Sequence, residues 1–170
     1  APLILPNSDV FSLFKTAPSD QINVGVIGTG SRGQGLMRIL NKIEGINLIA
    51  ICDTLPFRIE AAAQIAPKAS KYKNHKALLS HKGLDSVIIS SPLNTHAAIA
   101  SDAIDASVHI YCEKTMVKGD QDTLDLVNKV ENEHTKIFQT GHQYHSSRLY
   151  SHVVEIIQGG EIGQVSAVQA

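Results

Sequence analysis

Three glycines at positions 28, 30 and 33 form the first group of residues whose spacing could do chemistry. They follow an apolar run rich in β-branched residues, and apolar residues at helical spacing come after them. In strand–turn–helix order, such glycines allow a tight turn, a close approach of the backbone to a pyrophosphate, and close helix–strand packing. Free N–H groups at the helix start would receive the phosphates. The pattern predicts a dinucleotide site, with a plain strand-to-helix turn as the structural alternative.

Asp53 is the second candidate binding residue. It ends another apolar run, twenty positions after Gly33, where a carboxylate can accept hydrogen bonds from a ribose diol. Its charge would repel a 2′-phosphate, so the sequence favours NAD over NADP, while Arg58 nearby keeps NADP open. The structural alternative for Asp53 is the N-cap of a helix that starts near Pro56.

Other chemistries fit the sequence less well. A P-loop would need lysine at position 34 and serine or threonine at position 35, where this chain has Gln34 and Gly35. His142 and His145 are too few ligands for a metal site, so none is predicted. No Gly-x-Ser-x-Gly elbow is present, which argues against a hydrolase triad.

Strand and helix patterns alternate along most of the chain. Short apolar runs predict strands at residues 22–27, 47–52, 72–74, 86–90, 108–112, 137–141 and 165–168. Helical spacing predicts helices directly after the glycines and at residues 56–66, 75–81, 95–106, 121–133 and 148–158. This alternation predicts an α/β fold, a Rossmann doubly wound parallel sheet with helices on both faces.

The carboxyl ends of the predicted strands carry most of the candidate residues. Ligands of such sheets bind outside these ends. Five ends carry glycine or polar residues, at positions 28–33, 53, 91–96, 113–114 and 141–144. We therefore expect five strand ends to face one crevice. The strand predicted at 165–168 has no place in this sheet and is interpreted as the first piece of a second domain.

Composition limits the classes of partner. Lys and Arg number 15 and Asp and Glu number 16, for a formal net charge of −1, so no field draws the chain to nucleic acid or an anionic membrane. No apolar run approaches the ~18 residues of a membrane span. Cys52 and Cys112 end predicted strands among apolar neighbours, which indicates small buried side chains and not a disulfide framework.

The whole pattern resembles the Gfo/Idh/MocA family of NAD(P)-dependent oxidoreductases. The motifs that carry the resemblance are Gly28-Thr29-Gly30-Ser31-Arg32-Gly33, Asp53, Ser91-Pro92-x-x-x-His96, Glu113-Lys114 and Gly159-Gly160-Glu161-Ile162-Gly163. On this basis the chain divides into a proline-containing N-terminal extension (1–20), an NAD-binding Rossmann domain (21–144), and a connecting helix with the first strand of an α+β substrate domain (145–170).

The resemblance also implies roles for individual residues. Around the pyrophosphate it places Gly28, Thr29, Gly30, Ser31, Arg32 and Gly33, and on the adenosine ribose it places Asp53. Along the nicotinamide and its ribose it places Ser91, Pro92, Asn94, His96, Glu113 and Lys114. Gln143, beyond a strand end, is a further candidate for a polar contact. Lys114 is expected to be catalytic, because an ammonium can hydrogen-bond the substrate oxygen whose charge changes during hydride transfer.

One position departs from the family pattern. Proline commonly follows Glu-Lys in the family, whereas this chain has Thr115. A cis peptide before a residue other than proline costs about 3–4 kcal/mol, so we expect a trans bond and a shifted Lys114. Structural alternatives remain for two of the candidates: a solvated turn for the Glu113–Lys114 pair, and a helix-start residue bonded to the backbone for His96.

The resemblance implies an oxidoreductase that uses NAD and acts on a sugar, polyol or related hydroxylated small molecule, with this chain as its cofactor domain. One alternative is a glycoside hydrolase that uses bound NAD in a transient oxidation; another is a sensor that binds the dinucleotide without turnover. A homo-oligomer formed through the further domain is expected. We favour an exported origin over the cytoplasm, because residues 1–20 resemble the segment after an export leader in exported relatives.

Overall fold

The structure is a computed structural model that describes residues 21–133 and 135–169 of the 170-residue chain. The predicted N-terminal extension, residues 1–20, lies outside the described residues. Within them, six parallel strands form one sheet. They are β1 (Ile22–Ile27), β2 (Ile46–Cys52), β3 (Ser70–Tyr72), β4 (Ser86–Ile89), β5 (His109–Glu113) and β6 (Phe138–Gly141).

The strand order is β3-β2-β1-β4-β5-β6, which is the doubly wound Rossmann order. The direction of winding reverses between β1 and β4, and a crevice opens at such a switch point. Pairing brings the strand ends to one level, because Ile27 lies opposite both Cys52 and Ile89, and Ile89 lies opposite Cys112. The predicted fold is confirmed, and the loops after these strands meet at one edge.

Helices connect the strands at nearly the predicted positions. Within the described part of the chain they are α1 (Ser31–Leu40), α2 (Pro56–Ile65), α3 (His75–Leu79), α4 (His96–Asp105), α5 (Asp120–Asn132) and α6 (Arg148–Gln158). Pro56 opens α2, where its fixed φ suits the first turn and its missing N–H costs no helical bond. Short 3₁₀ turns at Leu93–Thr95 and Gln143–Ser146 precede α4 and α6.

Apolar side chains pack on both faces of the sheet, which explains why the central strands are almost continuously apolar. On one face, Val26 and Ile51 pack with Met37 of α1 and with α2. On the other, Ile27 and Ile89 pack with α3, α4 and α5. The two layers hold the carboxyl ends of the strands on a rigid support.

Both cysteines are buried in this core, as the sequence predicts. Burial raises the pKa of Cys52 to about 12, and the charge of Asp53 adds to this effect. Burial likewise raises the pKa of Cys112 to about 12, with a contribution from Glu113. The two thiols therefore stay protonated at neutral pH and act as small apolar side chains.

Residues 165–168, predicted as the first strand of a second domain, lie in a segment (163–169) that has no regular secondary structure here, so that assignment stays a prediction. Alternating apolar residues form a strand only beside a partner strand, and no strand among the described residues pairs with this segment. Val168 is 86% exposed. Apolar side chains of α6, including Leu149 and Val154, are also exposed. None of the described helices is long and apolar enough to cross a membrane.

Candidate functional site

Two glycines in the turn between β1 and α1 are required by the packing of the protein itself. Gly28 has φ +90°, and a Cβ there would lie 2.5 Å from the backbone nitrogen of Ser91. A Cβ on Gly33 would overlap the carbonyl oxygen of Gly28. Both positions therefore require glycine whether or not a ligand binds.

Gly30, the middle glycine, is different. Its φ of −68° suits any residue, and a Cβ would meet only the Arg58 guanidinium, at an ordinary contact distance of 3.7 Å. Neither the backbone nor the packing needs glycine here. The bare Cα instead leaves space where the turn lines a cavity at the carboxyl ends of the strands, as a ligand that approaches the backbone closely would require.

The start of α1 is suited to an anion. Gly30 occupies its N-cap, no side chain among the described residues caps the helix, and its first turn contains no acidic residue. The first N–H groups of a helix lack partners within the helix, and the helix dipole is positive at this end. Phosphate oxygens satisfy both the donors and the charge.

Asp53 is held in one orientation at the end of β2. One carboxylate oxygen accepts a hydrogen bond from the Thr29 N–H at 2.8 Å, and the other accepts one from the Leu55 N–H at 3.0 Å. Arg58 Nη1 lies 3.9 Å from the first oxygen. Leu55 is the N-cap of α2, so Asp53 is not the N-cap that the sequence left open as its alternative role. Asp53 also lines a cavity at this end of the sheet.

A larger cavity of about 710 Å³ lies at the ends of β1, β2, β3 and β4. A smaller cavity of about 370 Å³ adjoins it at the ends of β4, β5 and β6. Among the predicted residues, the larger cavity is lined by Gly28, Gly30, Ser31, Arg32, Asp53, Ser91, Pro92 and Asn94. The smaller is lined by Arg32, Ser91, His96, Glu113, Lys114 and Gln143. The structure thus brings together the five strand ends that the sequence predicts.

Two predicted phosphate-binding residues do not line either cavity. Thr29 is fully buried, and its amide holds Asp53. Gly33 packs against the turn itself. Thr29 therefore positions the carboxylate, and Gly33 supports the turn.

A sixth strand end, that of β3, also faces the site and was not predicted from the sequence. Lys73, Asn74 and His75 follow β3 and line the larger cavity beside Arg58. The available signal was the short strand predicted at 72–74, because it would end at the same edge as β2. The structure places this strand two residues earlier, at Ser70–Tyr72, which frees the residues after it to face the cavity.

His96 is 2% exposed, and each of its ring nitrogens faces a backbone carbonyl oxygen. Its Nδ1 lies 2.9 Å from the Thr115 carbonyl oxygen, and its Nε2 lies 2.9 Å from that of Ser91. The ring thus joins the loops after β4 and β5, which is the backbone-bonded alternative considered above. The Lys114–Thr115 peptide in the second loop is cis, so the expected trans bond is wrong. His96 holds the carbonyl beyond that peptide.

Lys114 is exposed and lines the smaller cavity. Arg32 and Glu113, predicted as separate contacts to a cofactor, bind each other. Arg32 Nε and Nη2 donate to the same Glu113 oxygen at 2.9 and 2.6 Å. This hydrogen bonding holds the pKa of Arg32 above its ordinary value. Glu113 is therefore not part of a solvated turn, since its side chain is 7% exposed.

The two histidines considered as metal ligands lie beyond β6. The rings of His142 and His145 meet edge to face, with their centroids 6.0 Å apart. In the part of the chain that the structure describes, no group of three His, Cys, Asp or Glu side chains is placed to hold a metal ion.

Comparison with known proteins identifies this arrangement. Residues 22–142 match the model of the Gfo/Idh/MocA oxidoreductase family, described as an NAD-binding Rossmann fold. The chain belongs to this family. The Gfo/Idh/MocA model covers β1 through the end of β6, which includes every candidate residue except Gln143.

Relatives within the family include dehydrogenases and one hydrolase group. The inositol 2-dehydrogenase of Salmonella paratyphi B is 28% identical, over 84% of this chain and 43% of its own length. A glycosyl hydrolase family 109 protein of Shewanella pealeana is 33% identical, over 55% of this chain and 23% of its own length.

The structure of Lactobacillus casei myo-inositol dehydrogenase, in complex with NAD(H) and myo-inositol, matches with a TM-score of 0.75. It is 27% identical, and the match covers 84% of this chain and 43% of that one. The chain therefore spans less than half the length of the dehydrogenases it matches.

Proposed function

We propose that this chain is the cofactor-binding part of an oxidoreductase that transfers hydride between NAD and a cyclic polyol or related sugar. The observation that carries the proposal is the space left at Gly30 beside an uncapped helix start. Packing of the protein does not need a glycine there, whereas a bound pyrophosphate does. The dehydrogenases among the relatives support the polyol as substrate.

The residues around the larger cavity fit the adenosine half of a dinucleotide. The first turn of α1, with Gly30 and Ser31, would hold the pyrophosphate through N–H groups. Asp53 would accept hydrogen bonds from the adenosine ribose. Its orientation is fixed by two backbone donors, so its charge stays on the cavity wall and would repel a 2′-phosphate. We therefore propose NAD as the preferred cofactor.

The smaller cavity fits the reacting end. When bound, the nicotinamide would supply the hydride acceptor or donor. Lys114 would hydrogen-bond the substrate oxygen, and its positive charge would stabilise the negative charge that develops on that oxygen. Gln143 lines the same cavity and would contribute a neutral donor or acceptor near the substrate.

The match to the glycosyl hydrolase family 109 protein favours a second candidate function. In that case the same cofactor half would serve a transient oxidation within a glycoside cleavage. The two functions differ in their net redox change. A dehydrogenase releases NADH with each turnover, whereas the hydrolase leaves the cofactor unchanged.

Net NADH release by the longer protein that contains this chain tests the proposal. The protein would be incubated with NAD and a panel of inositols, open-chain polyols, sugars and aryl glycosides, with NADH and cleaved aglycone followed separately. We expect NADH from at least one inositol and no aglycone. Aglycone release without net NADH would contradict the dehydrogenase and support the hydrolase.

A further inference from the structure

We propose that the Arg32–Glu113 ion pair makes the site select complete dinucleotides over adenine nucleotide fragments. The inference rests on the proposed function. When the dinucleotide binds, Arg32 leaves Glu113 for the diphosphate of the ligand. Glu113 then accepts hydrogen bonds from the ribose on the nicotinamide side. A ligand that ends at the diphosphate can supply only the first half of this exchange.

The position of the pair is the first support. Arg32 is the second residue of α1, next to the glycine turn, and it lines both cavities. Glu113 ends β5 and lines the smaller cavity only. The ion pair thus lies where the two cavities meet. Any ligand that occupies both cavities passes beside it.

The unequal burial of the partners indicates which of them moves. The Arg32 side chain is 47% exposed, and that of Glu113 is 7% exposed. Both donating nitrogens of Arg32 contact one carboxylate oxygen, so the pair lacks the two parallel bonds of a fork-to-fork arrangement. A long, half-exposed side chain can turn toward the larger cavity, whereas the buried carboxylate at a strand end stays in place.

Charge gives the reason for the exchange. The first turn of α1 has no acidic residue, and the neighbouring Arg58 already lies near Asp53. A diphosphate at this helix start would therefore compete directly with Glu113 for the Arg32 guanidinium, which binds phosphate oxygens well.

Loss of Arg32 would leave a buried carboxylate without its partner, which is strongly unfavourable. Ribose hydroxyls that reach the smaller cavity can donate to Glu113 and offset that cost. ADP would place its diphosphate in the larger cavity and has no group beyond it, so ADP cannot donate to Glu113 and cannot offset that cost. NAD has such a ribose. The pair therefore disfavours the fragment more than the complete dinucleotide.

Calorimetric titration of the full-length protein with NAD and with ADP tests the inference. In Glu113→Gln, Arg32 is released without a charge left behind, so ADP should bind more tightly, and the ratio of NAD affinity to ADP affinity should fall about tenfold. Glu60→Gln is the matched control, because Glu60 pairs with Lys71 at 2.9 Å on the exposed surface. That variant should keep the ratio of the unaltered protein.

An unchanged ratio in a folded Glu113→Gln variant would overturn the inference while the proposed function stands. If the unaltered protein binds neither ligand, both fall. Should Glu113→Gln fail to fold, crystal structures of the unaltered protein with each ligand decide. The ion pair should stay intact with ADP and be separated with NAD, and an intact pair with NAD would refute the exchange.

Discussion

Asp53→Ala is expected to lower NAD affinity about tenfold to a hundredfold, since it removes charge-assisted hydrogen bonds to the adenosine ribose. NADP affinity should rise relative to NAD, because the substitution removes the charge that repels a 2′-phosphate. Arg58, 3.9 Å from that carboxylate, would then be available to the phosphate. Titration of both cofactors by calorimetry measures the change.

Asp85→Ala is the matched control for this substitution. Asp85 also holds a backbone N–H, that of Asn23, at 2.8 Å, but it precedes β4 and so lies at the opposite edge of the sheet. It should destabilise the fold without changing the preference for NAD. If Asp53→Ala kept the same ratio of NAD to NADP affinity, the assignment of Asp53 to the ribose would be wrong.

Lys114→Ala is expected to lower the turnover of the longer protein about 10²- to 10³-fold, which is the usual effect of removing one preorganised donor from a developing negative charge. NAD affinity should fall far less than turnover, because Lys114 lines only the smaller cavity and the adenosine half of the cofactor is assigned to the larger one. The rate of NADH formation with the best inositol measures turnover, and a cofactor titration measures binding.

Lys118→Ala serves as the control, since Lys118 is an exposed lysine four positions later that lines neither cavity. It should leave turnover unchanged. Equal rates for Lys114→Ala and the unaltered protein would exclude Lys114 as the catalytic cation.

The sheet and much of the crevice could be predicted from the sequence because their signals are local. Apolar runs mark the buried strands, and the spacing from Gly33 to Asp53 reflects one β-α-β unit. Parallel strands bring their carboxyl ends to one edge, so the polar loops could be assigned to the same site without knowledge of side-chain positions.

The pairing of Arg32 with Glu113 could not be predicted this way. The two residues are 81 positions apart, and their contact depends on the rotamers of side chains from two loops. The orientation of the Thr29 amide could not be predicted for the same reason, because the conformation of the loop decides whether this amide faces a ligand or Asp53.

The strand predicted at 165–168 for a second domain stays a prediction for a related reason. An alternating pattern records which side of a strand would be buried, and it carries no information about a partner. Within the described residues no strand lies beside this segment, so its backbone has no ladder to join. The α6 pattern succeeded because a helix forms its hydrogen bonds within itself.

NAD affinity of Gly30→Ala tests the central claim most directly, because protein packing requires Gly28 and Gly33 of the motif but not Gly30. Gly35→Ala is the control, since a Cβ there meets nothing within 4 Å. We predict that Gly30→Ala keeps the melting temperature and loses NAD affinity at least about tenfold, while Gly35→Ala keeps its affinity. Unchanged NAD affinity in a folded Gly30→Ala protein would contradict a dinucleotide held at this turn.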